Sequence, residues 1–201
     1  MLEPKEGLLT FKSEGNNSPG SRYYSREIHW PGNLNKCKNE ASGVTIGRGY
    51  DLGSRSQSEV LSHFNRAGFS KEKSEKIIKA VGLTHCRARD FVVQNKDEID
   101  EISEYQQLKL FEISYAKIKN DTIRIYNKYR KNGSVTWDKL HPVLKDVIID
   151  MRYQGVLNYR NVKFFEKNNC EEVIEFINRD AYISSFEDNR GRVKYIKGRN
   201  Q

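Results

Sequence analysis

A chain of 201 residues is long enough to bury a core and suits one domain or two small lobes sharing a cleft. With 36% hydrophobic and 31% charged residues it is polar, yet eleven tyrosines and nine phenylalanines spread along it exclude an intrinsically disordered protein. The net charge of +8 favours polyanions in general, whether nucleic acid, anionic lipid or a wall rich in carboxylate and phosphate, and apolar runs as short as VIID at 147–150 exclude a membrane span.

In chain order, Leu2 to Lys12 predicts a short helix with Leu8, Leu9 and Phe11 inward. It is stopped by the turn formers EGNNSPG, so Glu14 sits at a helix end facing a loop. The same N-terminus carries Glu3, Glu6 and Glu14 and lacks a basic start, an apolar core and a small-residue cleavage site, so it does not read as a secretory signal. Ser18 to Ala41 has Pro, Gly and Asn punctuation and no sustained period, which predicts an irregular insertion or a small hairpin. Next comes SGVTIGRGYDLG, Ser42 to Gly53, with four glycines around Thr45 and Asp51.

Beyond it the pattern turns helical. Val60, Leu61, Phe64 and Ala67 recur behind a Ser54 or Ser56 cap, Ser70 caps a helix with Ile77, Ile78 and Val81 inward, and Thr84 caps another through Phe91 and Val92. Ser103 to Tyr129 predicts a long amphipathic helix of roughly 40 Å at 1.5 Å per residue, unless it breaks near Asn120. On this spacing Tyr105, Phe111, Tyr115 and Tyr126 are core residues. Thr136 caps a segment that Pro142 either interrupts or restarts and Gly155 closes, and two shorter amphipathic segments follow around Phe164–Lys167 and Glu171–Tyr182. The fold class is therefore α+β and predominantly helical: a single domain over 1–201, with a small irregular or β lobe at roughly 13–55 and a helical lobe at roughly 56–201, separated by a ligand-binding groove. The C-terminal run Arg190, Arg192, Lys194, Lys197 and Arg199 reads as a solvated helix face.

The four histidines have no paired ligand spacing, so neither a metal nor another cofactor is expected. Cys37, Cys86 and Cys170 fit neither a zinc site nor a redox pair and read as isolated thiols. GVTIGRG lacks the Gly-Lys-Ser/Thr ending of a phosphate-cradling loop, and no Gly-x-Ser-x-Gly elbow is present. What remains is a pair of carboxylates in unusual settings, Glu14 at a helix end and Asp51 behind a glycine hairpin. Two carboxylates can split a glycosidic bond, one protonating the leaving oxygen and the other activating water or stabilising positive charge at the sugar carbon. Glycines beside them let a strand turn sharply and a sugar ring come close. The plain alternative is that Asp51 caps the following helix.

The words SEGN at 13–16 and SGVTIGRGYDLG at 42–53 resemble the active-site signatures of the lysozyme-like muramidases of pesticin and of type VI secretion peptidoglycan-degrading effectors, which are related to bacteriophage lysozymes. More weakly, YQQLKLFEISY and LHPVLKDVIIDMRYQG resemble the family's core helix and its helix bordering the substrate groove. The resemblance implies a lysozyme-like fold and cleavage between N-acetylmuramic acid and N-acetylglucosamine, with Glu14 as general acid, Thr45 positioning a water or substrate group and Asp51 as second carboxylate. Tyr50, Arg48, Tyr153 and Gln154 would line the groove. In phage lysozymes the second carboxylate precedes the threonine, where this chain has Asn39; here the acid follows it, as in the pesticin-like order, and Glu40 in the intervening insertion is a rival.

Also implied are an antibacterial role in the periplasm of a target cell, a secretion-apparatus carrier and a periplasmic immunity protein, with neither nucleic acid nor membrane insertion required. Two alternatives stay open. One is a lytic transglycosylase on the same polymer, which needs a single acid/base; the other is a non-enzymatic basic helical module that binds nucleic acid or envelope polymer. Tyr23, Tyr24 and Trp30 either pack the insertion or stack on a sugar.

Overall fold

The structure is a computed structural model that describes residues 2–199. It is an α+β fold, predominantly helical, with one two-stranded antiparallel sheet among the described residues. No helix among the described residues is long and apolar enough to cross a membrane. The chain forms two compact units, one of Met1–Pro4 with Glu14–Ser114 and the other of Lys5–Ser13 with Tyr115–Gln201. The hairpin segment expected to stand apart before residue 55 thus shares a unit with three helices and the start of a fourth.

In the first unit, β1 (Thr45–Ile46) and β2 (Tyr50–Asp51) form a hairpin with Thr45 opposite Asp51 and Ile46 opposite Tyr50. Side chains alternate across a strand. Val44, Ile46, Tyr50 and Leu52 are therefore all fully buried, in one cluster with Ile28, Trp30, Val60, Phe64 and Ile77. Three helices supply the other side of that core. Helix α2 (Gln57–Arg66) is capped by Ser56, and its Leu61 lies exposed instead of inward; α3 (Lys71–Ile77) is capped by Ser70; α4 is His85–Asn95. The Thr84 hydroxyl caps no backbone group of α4 and instead meets His85 Nδ1 at 2.9 Å. The insertion is irregular apart from a 3₁₀ segment, Leu34–Asn39, and Tyr24 and Trp30 pack inside while Tyr23 is exposed.

Cys37 and Cys86 form a disulfide, with Cα atoms 4.8 Å apart, that ties the 3₁₀ segment to α4; Cys170 alone is a free thiol. Isolated thiols are thus a misreading for two of the three. Sequence spacing across 49 positions carries no information about closeness once a long irregular loop folds back on the helices.

In the second unit, α1 (Leu8–Ser13) starts later than expected and buries Leu9 and Phe11. Helix α5 (Glu104–Tyr129), which begins in the first unit, runs unbroken through Asn120; it buries Phe111, Tyr115 and Tyr126 as expected, whereas Tyr105, in its first turn, is exposed. Helix α6 (Pro142–Gln154) uses Pro142 at its first turn and ends at Gly155, then α7 (Cys170–Arg179), capped by Asn169, α8 (Ala181–Ser184), α9 (Glu187–Arg190) and α10 (Arg192–Arg199) complete the unit.

The C-terminal basic run is not a uniformly solvated face. Arg192 is fully buried, its Nε 2.7 Å from Oδ2 of Asp150, which is fully buried too, and Arg190 holds the other oxygen at 3.1 Å. A carboxylate buried on α6 needs such partners, and charged side chains at 190 and 192 supply them. Lys194 and Lys197 are exposed, and the side chain of Arg199 lies outside the described residues.

Replacing both Cys37 and Cys86 by serine should lower unfolding stability by about 2–4 kcal/mol. Urea denaturation of the oxidised protein and the double variant measures the difference, and dithiothreitol should shift the former and not the latter.

Candidate active site

The candidate carboxylates and the threonine all belong to the first unit. Because the apolar face of the hairpin is committed to the core, Thr45 and Asp51, directly opposite one another, share the other face. His29 joins the row: its N–H and C=O exchange 2.8 Å hydrogen bonds with Thr45, so the pairing puts three polar side chains side by side. Burial holds the imidazole pKa below its ordinary value, keeping the ring neutral. Its Nδ1–H points at the Glu27 carbonyl 3.1 Å away, leaving Nε2 as the acceptor.

Asp51 is half-buried and held at both oxygens, Oδ2 accepting from the Gly43 N–H at 2.9 Å and Oδ1 from the Gly53 N–H at 2.6 Å. This arrangement explains two of the four glycines. A Cβ on Gly43 would lie 2.5 Å from the Gly53 nitrogen and 2.6 Å from Asp51 Oδ1, so only hydrogen fits. The other two, Gly47 and Gly49, have φ of +64° and +76° and make the turn. Arg55 Nε donates to the Asp51 carbonyl at 2.9 Å, so the main chain is also fixed. Thr45 is only 4% exposed, and its hydroxyl reaches the Gly43 carbonyl at 3.5 Å, the outer limit of a hydrogen bond.

Arg48 occupies the turn between the two strands. It is 2% exposed, and one guanidinium nitrogen donates to the Gly15 carbonyl while the other reaches Asn17 Oδ1 at 3.4 Å. Burial depresses its pKa to about 10, opposed by attraction to Glu104 and Glu14. The turn thereby grips the segment that carries Glu14, a half-buried residue whose Oε1 is shielded from solvent. A polar network supports the same segment: Gln107, fully buried on α5, donates to Asn17 Oδ1 at 2.7 Å and accepts from Ser25 Oγ at 2.8 Å, and Ser25 Oγ also lies 3.1 Å from the Asn16 carbonyl. Asn17, Ser25 and Gln107 were not singled out by the sequence, because long-range pairs leave no local pattern. His29 had a signal, the apolar–polar–apolar alternation of Ile28-His29-Trp30.

The remaining candidates lie elsewhere. Tyr50 is fully buried, its hydroxyl 2.7 Å from His63 Nδ1 and Arg55 stacked 4.1 Å over its ring, so it is a core residue with no surface to line a groove. Arg48 likewise braces the main chain. Tyr153 and Gln154 belong to the second unit, half-buried at the end of α6, and the Gln154 side-chain oxygen accepts from Arg192. Glu40 ends the 3₁₀ segment, its N–H donating to the Cys37 carbonyl at 3.3 Å. Among the described residues no three His, Cys, Asp or Glu side chains converge as a metal site.

A protein-family model described as a domain of unknown function, DUF8812, matches residues 7–191. No curated protein matches the sequence.

Gly43→Ala should cost about 1–3 kcal/mol through overpacking. It should also move the Asp51 carboxylate off its backbone donors. Thermal melts measure the first effect, and the Gly43 and Gly53 amide shifts in NMR spectra report the second.

Proposed function

The chain belongs to the DUF8812 family, and from the site this domain carries we propose that it is a lysozyme-like peptidoglycan hydrolase, a muramidase, acting as an antibacterial toxin or effector. The observation that carries this reading is the Arg48 bond to the Gly15 carbonyl, which joins the Glu14 segment to the ribbon bearing Thr45 and Asp51. In this reading Glu14 protonates the glycosidic oxygen as the bond to the sugar carbon breaks. Asp51, oriented by two N–H groups, takes a proton from water that Thr45 helps to hold, and the water oxygen bonds to that carbon. The +8 charge suits an anionic wall polymer. The disulfide suits an oxidising compartment such as the periplasm. A secretion-apparatus carrier and a periplasmic immunity protein follow from the same proposal.

One observation favours the lytic transglycosylase as a second reading. Both oxygens of Asp51 are already engaged within the hairpin, as a purely structural carboxylate would be, and a transglycosylase needs only one acid/base.

Purified protein incubated with sacculi should release muropeptides with reducing ends, and Glu14→Gln, while folded, should be slower by about 10²–10⁴. Absence of release by the wild type, or near-normal turnover by Glu14→Gln, overturns the proposal. Asp51→Asn separates the two enzymes by mass spectrometry: loss of activity supports hydrolysis, whereas retained activity with anhydro products supports the transglycosylase.

A further inference from the structure

The second unit carries a surface that the proposed chemistry does not use. Tyr129, on the last turn of α5, and Tyr159, which opens the 3₁₀ segment Tyr159–Phe164, lie ring to ring with centroids 5.3 Å apart and planes tilted by 36°. They remain 42% and 52% exposed, well above what a packed aromatic pair leaves open. Each carries a cation: Lys128 Nζ lies 5.1 Å from the Tyr129 centroid, and the Arg160 guanidinium 5.5 Å from that of Tyr159. The same 3₁₀ segment repeats the motif at its far end, with Lys163 Nζ 4.9 Å from the centroid of half-buried Phe164. Phe164 in turn stacks on Phe176 of α7 at 4.0 Å and lines a hollow of about 600 Å³ that Arg160 and Lys163 also border.

Two features separate this surface from an ordinary solvated face. Many of the protein's lysines and arginines lie in ion pairs, but no carboxylate pairs with Lys128, Arg160 or Lys163 among the described residues. Exposed rings are also costly to hydrate, and two exposed tyrosines followed by half-buried Phe164, each beside a cation that pairs with no carboxylate among the described residues, provide both flat apolar contact and positive charge for one ligand.

We propose that the face formed by Tyr129, Tyr159 and Phe164 with Lys128, Arg160 and Lys163 binds an anionic glycan strand. The choice of peptidoglycan as that glycan rests on the function proposed above. A sugar presents a C–H face to a ring and hydroxyls around its edge, and the muramic acid and peptide carboxylates of the wall supply the sparse negative charge that three cations match. Nucleic acid fits less well, because bases stack on rings in parallel and phosphates demand an unbroken positive groove. Here the two tyrosine planes diverge, and Glu172, Glu175 and Asp180 line the hollow and interrupt the positive surface, which suits a ligand of sparse charge better than a continuous phosphate backbone. Such a face keeps the protein on its polymer between cleavage events, an effective-concentration gain that needs no change in the reacting residues.

The test is co-sedimentation of the full chain with purified Gram-negative sacculi at 4 °C. It compares the wild type with Tyr129→Ala/Tyr159→Ala and with Lys128→Gln/Arg160→Gln/Lys163→Gln, all surface changes checked for folding by circular dichroism. Each variant should bind sacculi at least about tenfold more weakly. Release from short soluble muropeptides should stay at the wild-type rate. Unchanged sacculus binding in both variants overturns the proposal, as does tighter wild-type binding of single-stranded DNA than of sacculi at equal salt. A wild type that binds sacculi through this face but cleaves nothing removes the muramidase reading and leaves the glycan face standing.

Discussion

A guanidinium with 2% exposure is the constraint on which the first unit is organised. A buried charge is tolerated only where polar groups replace the water it has lost. For Arg48 those groups are the Gly15 carbonyl, the Asn17 amide oxygen and the negative charges of Glu14 and Glu104. The partners come from the loop after α1 and from the start of α5, segments far apart in sequence. The hairpin turn therefore cannot shift without stranding its own charge, and the residues around Glu14 cannot shift without losing their donor. The Asn17–Gln107–Ser25 network adds neutral hydrogen bonds to the same joint, which makes it rigid as well as charged.

The glycine hairpin answers a second demand, the placement of one carboxylate. Asp51 is oriented by main-chain N–H groups that come from outside the two strands, from Gly43 before β1 and Gly53 after β2. Main-chain donors are stiffer than side chains and keep the oxygens in fixed directions. The arrangement requires two backbones to approach so closely that neither can carry a side chain. Glycine is thus concentrated here for two unlike reasons, a reversed chain direction at 47 and 49 and a near-contact at 43 and 53.

Much of this architecture was legible in the sequence because it depends on local rules. Caps at Ser56 and Ser70, the period of α5 and the Gly155 stop all follow from neighbours within a few positions. The hairpin was signalled by its glycines. What the sequence hid depends on contacts between distant segments. The disulfide joins positions whose spacing says nothing about proximity, and Arg192 looks solvated until Asp150, 42 positions earlier, is found beneath it. Tyr50 was misplaced for a related reason: the family resemblance put it on a groove, but strand parity sends it to the face opposite that of Asp51, into the core.

The bond between Cys37 and Cys86 also sets what the chain can pass through. Once closed, it makes a covalent ring of the intervening chain, and a ring persists even when every helix is melted. A passage that admits one strand at a time cannot take such a ring, so a chain carried through one must travel with both thiols still reduced.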